Sequence, residues 1–296
     1  MLSSFCRQAV LLFSLSVVVF AQYNNTTNYV QRNLHTIQSI YNLTVYPNNA
    51  PILLQGGSAV PPGLFSQNAR GRVTPVGNFT GFEDSIEYFF ALAPTPQSNP
   101  AGVAIFEADV VEYTSGCANV AASVVYLKTG PVNATTGQLI EGSKTTALKQ
   151  VAFWRFDDQG AVLEYDAWIP NLQAWSSVAL GIDYSNITIQ QGALATALCP
   201  TLQDRCTGSN QQFNSTADCI TELGQKPFGT FDEAWGDNIA CRTIHLILTG
   251  HRPEVHCPHV GPFGGNGPDN YKCVDIEYNE YLNDALLFGS SEVFRC

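Results

Sequence analysis

Four of the five histidines fall between His245 and His259, in the stretch CRTIHLILTGHRPEVHCPHVGPFGG. Imidazole carries protons near neutral pH, is the commonest metal ligand, and needs no thiolate beside it. His251, His256 and His259 stand at H-x4-H-x2-H in a proline-stiffened segment read as a loop. Three nitrogens there could meet on one zinc or copper ion, a possible divalent metal cofactor. The spacing matches no established zinc motif, however, and the same rings could instead bond carbonyls left bare by an irregular loop. His245 precedes them on a helix, either hydrogen-bonded in the structure or facing the same site.

A second constellation is Glu164 and Asp166, which share one strand face with Val162 and Trp168. Paired carboxylates inside an apolar chamber could act as general base and acid, their affinities for protons split by desolvation. Carboxylates on a strand beside a turn are also commonly solvated. Glu107 and Asp109 share a strand face too, opposite the apolar one. No G-x-S-x-G, H-E-x-x-H or dinucleotide fingerprint occurs, so hydrolase, metalloprotease and dinucleotide readings lack a motif. The glycines from Gly261 to Gly267 follow no strand, which removes a phosphate-loop reading.

The elements that must position these groups divide the chain. In the second half, Thr230 and Glu233 form a capping box and Gly250 with Pro253 ends the pattern, predicting a helix over 231–248. Apolar residues cover most of that helix, leaving a narrow polar strip of Asn238, Arg242, His245 and Thr249. In the first half, Val30, Leu34, Ile37 and Ile40 recur at helical spacing. Residues 47–62 read as a proline- and glycine-rich loop, and 81–92 as a second helix. The period then changes to two: strands are expected over 102–113, 120–128, 150–156 and 161–169, the last pair joined by the hairpin signal Asp157–Gly160. Helices first and a hairpin sheet after give an α+β class. The tryptophans Trp154, Trp168 and Trp175 read as core.

The compartment is signalled at the N-terminus. Arg7 precedes an apolar run from Ala9 to Phe20, and Val19 with Ala21 forms a small-residue cleavage site, so residues 1–21 read as a signal peptide. The expected protein is secreted and extracellular. Sequons at Asn24, Asn25, Asn42, Asn78, Asn133, Asn186 and Asn214 are glycosylation candidates that would mark surface loops. Of nine cysteines, Cys6 leaves with the signal. Cys117, Cys199, Cys206, Cys219, Cys241, Cys257, Cys273 and Cys296 remain, an even set expected to form disulfides of undetermined pairing. If all pair, Cys117 must bridge to the C-terminal region, because every other one lies beyond residue 195. A net charge of −11 argues against nucleic acid and anionic membrane as partners.

Three segments carry a resemblance: GRVTPVGNFTGFEDSIEYFFALAP, GVAIFEADVVEYTSGCANVAASVVYLKT and ALKQVAFWRFDDQGAVLEYDAWIP. Over residues 30–180 the chain resembles the NTF2-like, or SnoaL-like, superfamily. That resemblance implies a cone, a curved antiparallel sheet wrapped around helices and an apolar pocket. Members include isomerases, cyclases and dehydratases as well as binding modules. The enzymes often pair an acid with a histidine or tyrosine, whereas the first half here offers only His35. The tail, with RPEVHCPHVGPFGG and KCVDIEY, looks like a segment of uncharacterised secreted fungal proteins. The expected organisation is therefore a signal (1–21), an NTF2-like domain (22–190) and a cysteine-rich helical extension (191–296). The leading functional expectation is binding of a small apolar ligand in the cone. The alternatives are a lyase, isomerase or cyclase using Glu164 and Asp166, or a metal-binding protein using the 251–259 histidines.

Overall fold

The structure, a computed structural model, describes residues 28–267, 270–275 and 277–296. The signal-peptide reading, Asn24 and Asn25 lie outside these residues. The expected α+β class is found. A helix over 28–44 (α1) leads, followed by α2 (Ala50–Gln55). Six strands form one sheet in the order β2-β1-β6-β5-β4-β3. They are β1 (Phe65–Thr74), β2 (Gly77–Thr80), β3 (Val103–Cys117), β4 (Val120–Pro131), β5 (Thr146–Phe156) and β6 (Val162–Trp168). All neighbours pair antiparallel except β1 with β6.

The four strands read from alternation are all present. Strands β1 and β2 were not expected, because FSQNARGRVT alternates poorly; its Gly71 has a packing reason. A Cβ there would stand 2.2 Å from the Tyr165 ring, so only glycine lets β1 and β6 close over that side chain. Register shifts along β3 and β4 mark bulges, which bend the sheet. On its concave face Val125, Ala152, Trp154, Tyr165 and Ala167 pack against Ile37, Ile40 and Tyr41 of α1 and the phenylalanines Phe89 and Phe90. The indole N–H of the buried Trp154 donates to Ser123 Oγ at 2.9 Å.

Three local expectations need correction. Residues 47–62 contain α2, started by a proline in its first turn, and a 3₁₀ turn (Gly56–Ala59). The helix predicted over 231–248 begins later: Phe231–Glu233 is a single 3₁₀ turn, and α8 (Ile239–Leu248) starts at Asn238. The Asn238 side chain accepts from Cys241 N at 2.8 Å, while Thr230 makes no side-chain cap, so the asparagine sets the start. Finally, the histidine loop is a helix, α9 (Pro253–Val260), which has a proline in its first turn and tolerates Pro258 inside.

The second half is mainly helical. It carries α4 (Leu172–Leu180), α5 (Ile187–Ala193), α6 (Cys199–Arg205), α7 (Thr216–Leu223), α8, α9, α10 (Tyr278–Tyr281) and α11 (Asp284–Phe288). The eight cysteines expected to pair do so, as Cys117–Cys296, Cys199–Cys219, Cys206–Cys257 and Cys241–Cys273. Cys117 does reach the C-terminal region, over a separation of 179 residues. Such bonds form in oxidising compartments. Among the described residues no helix is long and apolar enough to cross a membrane. Of the sequons described, Asn42, Asn133, Asn186 and Asn214 are exposed and Asn78 is half-buried.

Candidate functional site

The helix after β2 is where fold and site meet. It begins as α3 (Phe82–Ile86) and continues as a wide turn over Glu87–Ala91 with π-type hydrogen bonding. Such bulges recur at functional sites because the extra residue re-aims side chains. Here the turn sends Tyr88 and Phe89 into the cone and Glu87 out towards α9.

Inside the cone lies a cavity of about 580 Å³, within the range of small-molecule sites. Its body is apolar, formed by Ile105, Leu127, Leu148 and Ile169 of the sheet side and by Phe89 of the wide turn. The second half supplies the rest of the wall, through Leu172 and Trp175 of α4, Phe231, and Ile244 of α8. The tail therefore helps to enclose the chamber and is more than a brace beside it.

Residues with polar atoms also line it, Tyr41, Tyr88 and Trp175 among them. Tyr41 Oη and Trp175 Nε1 are buried and have no hydrogen-bond partner among the described residues. Tyr88 Oη accepts from Gln150 Nε2 at 2.9 Å, which leaves its own hydrogen free to donate. Burial pushes the phenols of Tyr41 and Tyr88 up, and so keeps both protonated at neutral pH. The residues lining the chamber thus include Tyr41, Tyr88 and Trp175, and the Tyr41 Oη and Trp175 Nε1 atoms are themselves buried. His251 also lines the chamber, and burial lowers its affinity for a proton.

Glu164 and Asp166 are on the other side of the sheet. Tyr165 and Ala167 between them point into the core, so alternation along β6 turns both carboxylates outward. Glu164 pairs with Arg70 and with Arg155, each at 3.2 Å. Asp166 Oδ1 accepts from Arg72 Nε at 3.0 Å. Arg72 also reaches Asp284 at 2.9 Å and donates to the Tyr281 carbonyl at 3.0 Å, and Arg70 donates to the Phe288 carbonyl at 2.7 Å. These carboxylates anchor the arginines that clamp α10 and α11 onto the convex face. Glu107 and Asp109 are likewise outward, both paired to Lys128.

Of the three histidines read together from the sequence, His256 and His259 meet and His251 does not join them. Helix geometry explains this, since residues three apart share a face of α9 while His251 lies in the turn before it. The third partner is His245 of α8, whose ring centroid is 4.7 Å from that of His259 and 5.8 Å from that of His256. All three are buried. His256 Nε2 contacts Glu87 Oε2 at 2.9 Å, and His259 Nε2 contacts Asn270 Oδ1 at 2.7 Å. Burial alone would raise Glu87, but hydrogen bonds from Arg252 and His256 outweigh it and bring its carboxyl to about 2. Burial holds His259 down to about 3. The sequence signal for His245 was its place on the polar strip of α8. Glu87, Tyr41 and Trp175 carried no comparable signal.

Residues 169–275 match the family described as the BfoA family C-terminal domain, the segment that walls one side of the chamber. The chain is 28% identical over 290 residues to aurasperone B biosynthesis cluster protein A of Aspergillus niger, covering 92% of this chain and 89% of that one. It is 26% identical over 284 residues to bifonsecin B biosynthesis cluster protein A of Aspergillus brasiliensis, covering 90% and 89%. Among solved structures, one described as a SnoaL-like polyketide cyclase from Jannaschia sp. CCS1 aligns at 13% identity and TM-score 0.33, over 52% of this chain and 94% of that one. A steroid delta-isomerase from Pseudomonas aeruginosa aligns at 11% identity and TM-score 0.30, over 51% and 86%. The chain is thus similar along most of its length to proteins named for fungal biosynthesis clusters.

Proposed function

We propose that the protein binds a small, flat, oxygen-bearing aromatic metabolite in the cone. The observation that carries this reading is an apolar chamber of about 580 Å³ whose wall includes Tyr41 and Trp175, with Tyr41 Oη and Trp175 Nε1 buried beside it and without partners among the described residues. An unpaired buried donor is costly, and a ligand acceptor that reached either atom through a small side-chain movement would repay that cost. The relatives named for aurasperone B and bifonsecin B biosynthesis clusters support a biosynthetic metabolite as the occupant. Titration of the protein with a hydroxynaphthyl ketone should quench tryptophan fluorescence saturably. Tyr41→Phe, which deletes one donor and little volume, should weaken that binding roughly two- to twelvefold, the worth of a net hydrogen bond of about 0.5–1.5 kcal/mol. Absence of saturable binding, or affinity unchanged from wild type in both Tyr41→Phe and Trp175→Phe, sinks the reading.

His251 favours a second reading, in which the same chamber isomerises or cyclises its ligand. A neutral imidazole at the wall could remove a proton from carbon next to a carbonyl while the tyrosines hold the resulting oxyanion. His251→Asn would then abolish deuterium exchange at the acidic carbon of a bound diketone without changing its affinity. We propose further that residues 1–21 are removed, that the protein is secreted, that glycans sit on the exposed sequons, and that the chain divides into units over 22–190 and 191–296. A protein in culture supernatant that starts at Gln22 and loses mass on deglycosylation would support the first three.

A further inference from the structure

The histidine cluster is independent of the chamber and has its own chemistry. Its hydrogen bonds place a proton on the outer nitrogen of two of the rings. The Glu87 carboxylate can only accept, so His256 Nε2 donates to it, and in a neutral ring that leaves a lone pair on His256 Nδ1. Asn270 Nδ2 donates to Asn266 Oδ1 at 2.7 Å, so its Oδ1 faces His259 Nε2 and accepts from it. That leaves a second lone pair on His259 Nδ1. The two Nδ1 atoms then face each other at 3.2 Å. Two lone pairs at that distance repel unless a proton shared between the rings or a metal ion lies between them. The spacing is close to the edge of a zinc tetrahedron, about 3.3 Å for Zn–N bonds of about 2.0–2.1 Å.

The third member fits the same need. His245 Nδ1 is buried without a hydrogen-bond partner among the described residues. One nitrogen from each of the three rings lies within 4.8 Å of the others. We infer that His245, His256 and His259 form a three-histidine site for a divalent transition ion of the zinc or copper class. Glu87 and Asn270 act as the outer partners that orient the imidazoles, as metal-bound histidines require. The frame is cross-linked: Cys241, one turn before His245, is bonded to Cys273, and Cys257, beside His256, to Cys206. Cys241 and Cys273 also approach His245, but as a disulfide they supply no thiolate. A fourth position is left to water or an exogenous donor. Glu87 and Asp84 offset the ion's charge. Arg252, paired to both, and Lys272, whose Nζ donates to the Asn78 carbonyl at 2.6 Å, oppose it.

The test uses the full secreted chain with its disulfides intact, stripped with a chelator and then given Zn(II), Co(II) or Cu(II) alone. One equivalent should survive gel filtration, and Co(II) should show the strong visible absorption of a four- or five-coordinate ion. His245→Ala and His259→Ala should each lose that equivalent while His251→Ala keeps it. Glu87→Gln should weaken the metal roughly 10–100-fold, and Lys272→Met should tighten it. Two results overturn the inference. One is wild-type protein that retains no metal above background, which leaves the rings as a hydrogen-bonded pair beside a third. The other is loss of metal in His251→Ala with retention in His245→Ala, which would restore the grouping read from the sequence. The wild-type measurement decides even where a variant fails to fold.

Discussion

Glu87 carries more of the molecule than its place in a short turn suggests. It accepts from Arg252 Nε at 2.7 Å and from His256, and it lies between the chamber wall and the histidine cluster. Glu87→Gln leaves Arg252 short of a charged partner in a half-buried setting. The expected cost in metal-free protein is about 2–4 kcal/mol, less than for a wholly buried pair because Arg252 keeps some water contact and Asp84. Chemical denaturation of the variant measures it; a change within error would mean that Asp84 suffices. Asp237 makes a second test by pH. Burial raises its carboxyl, but Lys226 and Arg242 outweigh that, so its proton affinity is lowered in the folded state. Its contribution is therefore complete above the unfolded value, about pH 4, and is lost as pH falls through the lower folded value. Asp237→Asn should flatten that part of the acid limb of stability against pH, and an unchanged limb would show that the pair contributes nothing.

At the scale of elements, α8 shows how one helix serves two surfaces. Its apolar side gives Ile244 to the chamber, and its polar strip of Asn238, Arg242, His245 and Thr249 is buried, not wetted. Arg242 is wholly buried and bonds the Gly261 and Asn238 carbonyls at 3.2 and 3.1 Å. The strip works because Asn238, Arg242 and His245 each meet another segment of the tail, while the Thr249 hydroxyl donates to the Leu246 carbonyl of α8 itself. Asn238 both caps α8 and donates to the Glu233 carbonyl at 3.1 Å. Asn238→Ala should therefore cost about 1–2 kcal/mol and fray the start of the helix, read by hydrogen exchange at residues 239–242. Protection equal to wild type would move the start of α8 away from this cap. The capping box at Thr230 was legible and misleading: its residues make only a 3₁₀ turn, since the chain must bend again at Gly236 before α8 can enter the core.

The whole molecule is held closed from outside. The arginines of β1 carry α10 and α11 on the convex face, Arg72 stacking over Tyr281 and Phe288, and the Cys117–Cys296 bond ties the final residue to the end of β3. Replacing both cysteines by serine should lower stability by about 2–4 kcal/mol. It should also raise hydrogen exchange at 278–294 while leaving the chamber's ligand affinity unchanged, because no chamber residue lies in that segment. A loss of affinity in that variant would mean that the clamp also shapes the chamber.

Residue types alone set the class of fold, the period of four strands, the α1 helix and the need for Cys117 to reach the tail, because each is a local pattern or a parity rule. They also marked His256, His259 and His245 as chemistry-bearing. Which of these meet was decided only in three dimensions. Helical spacing on α9 pairs His256 with His259, and the α8–α9 turn substitutes His245 for His251. The facing of Glu164 and Asp166 followed the same logic. Alternation says that they share a face; only the packing of Tyr165 and Ala167 against α1 and the wide turn says which face that is. The donors Tyr41 and Trp175 were invisible for the plainest reason: an aromatic residue on an apolar stripe reads as core until the fold leaves a space beside it.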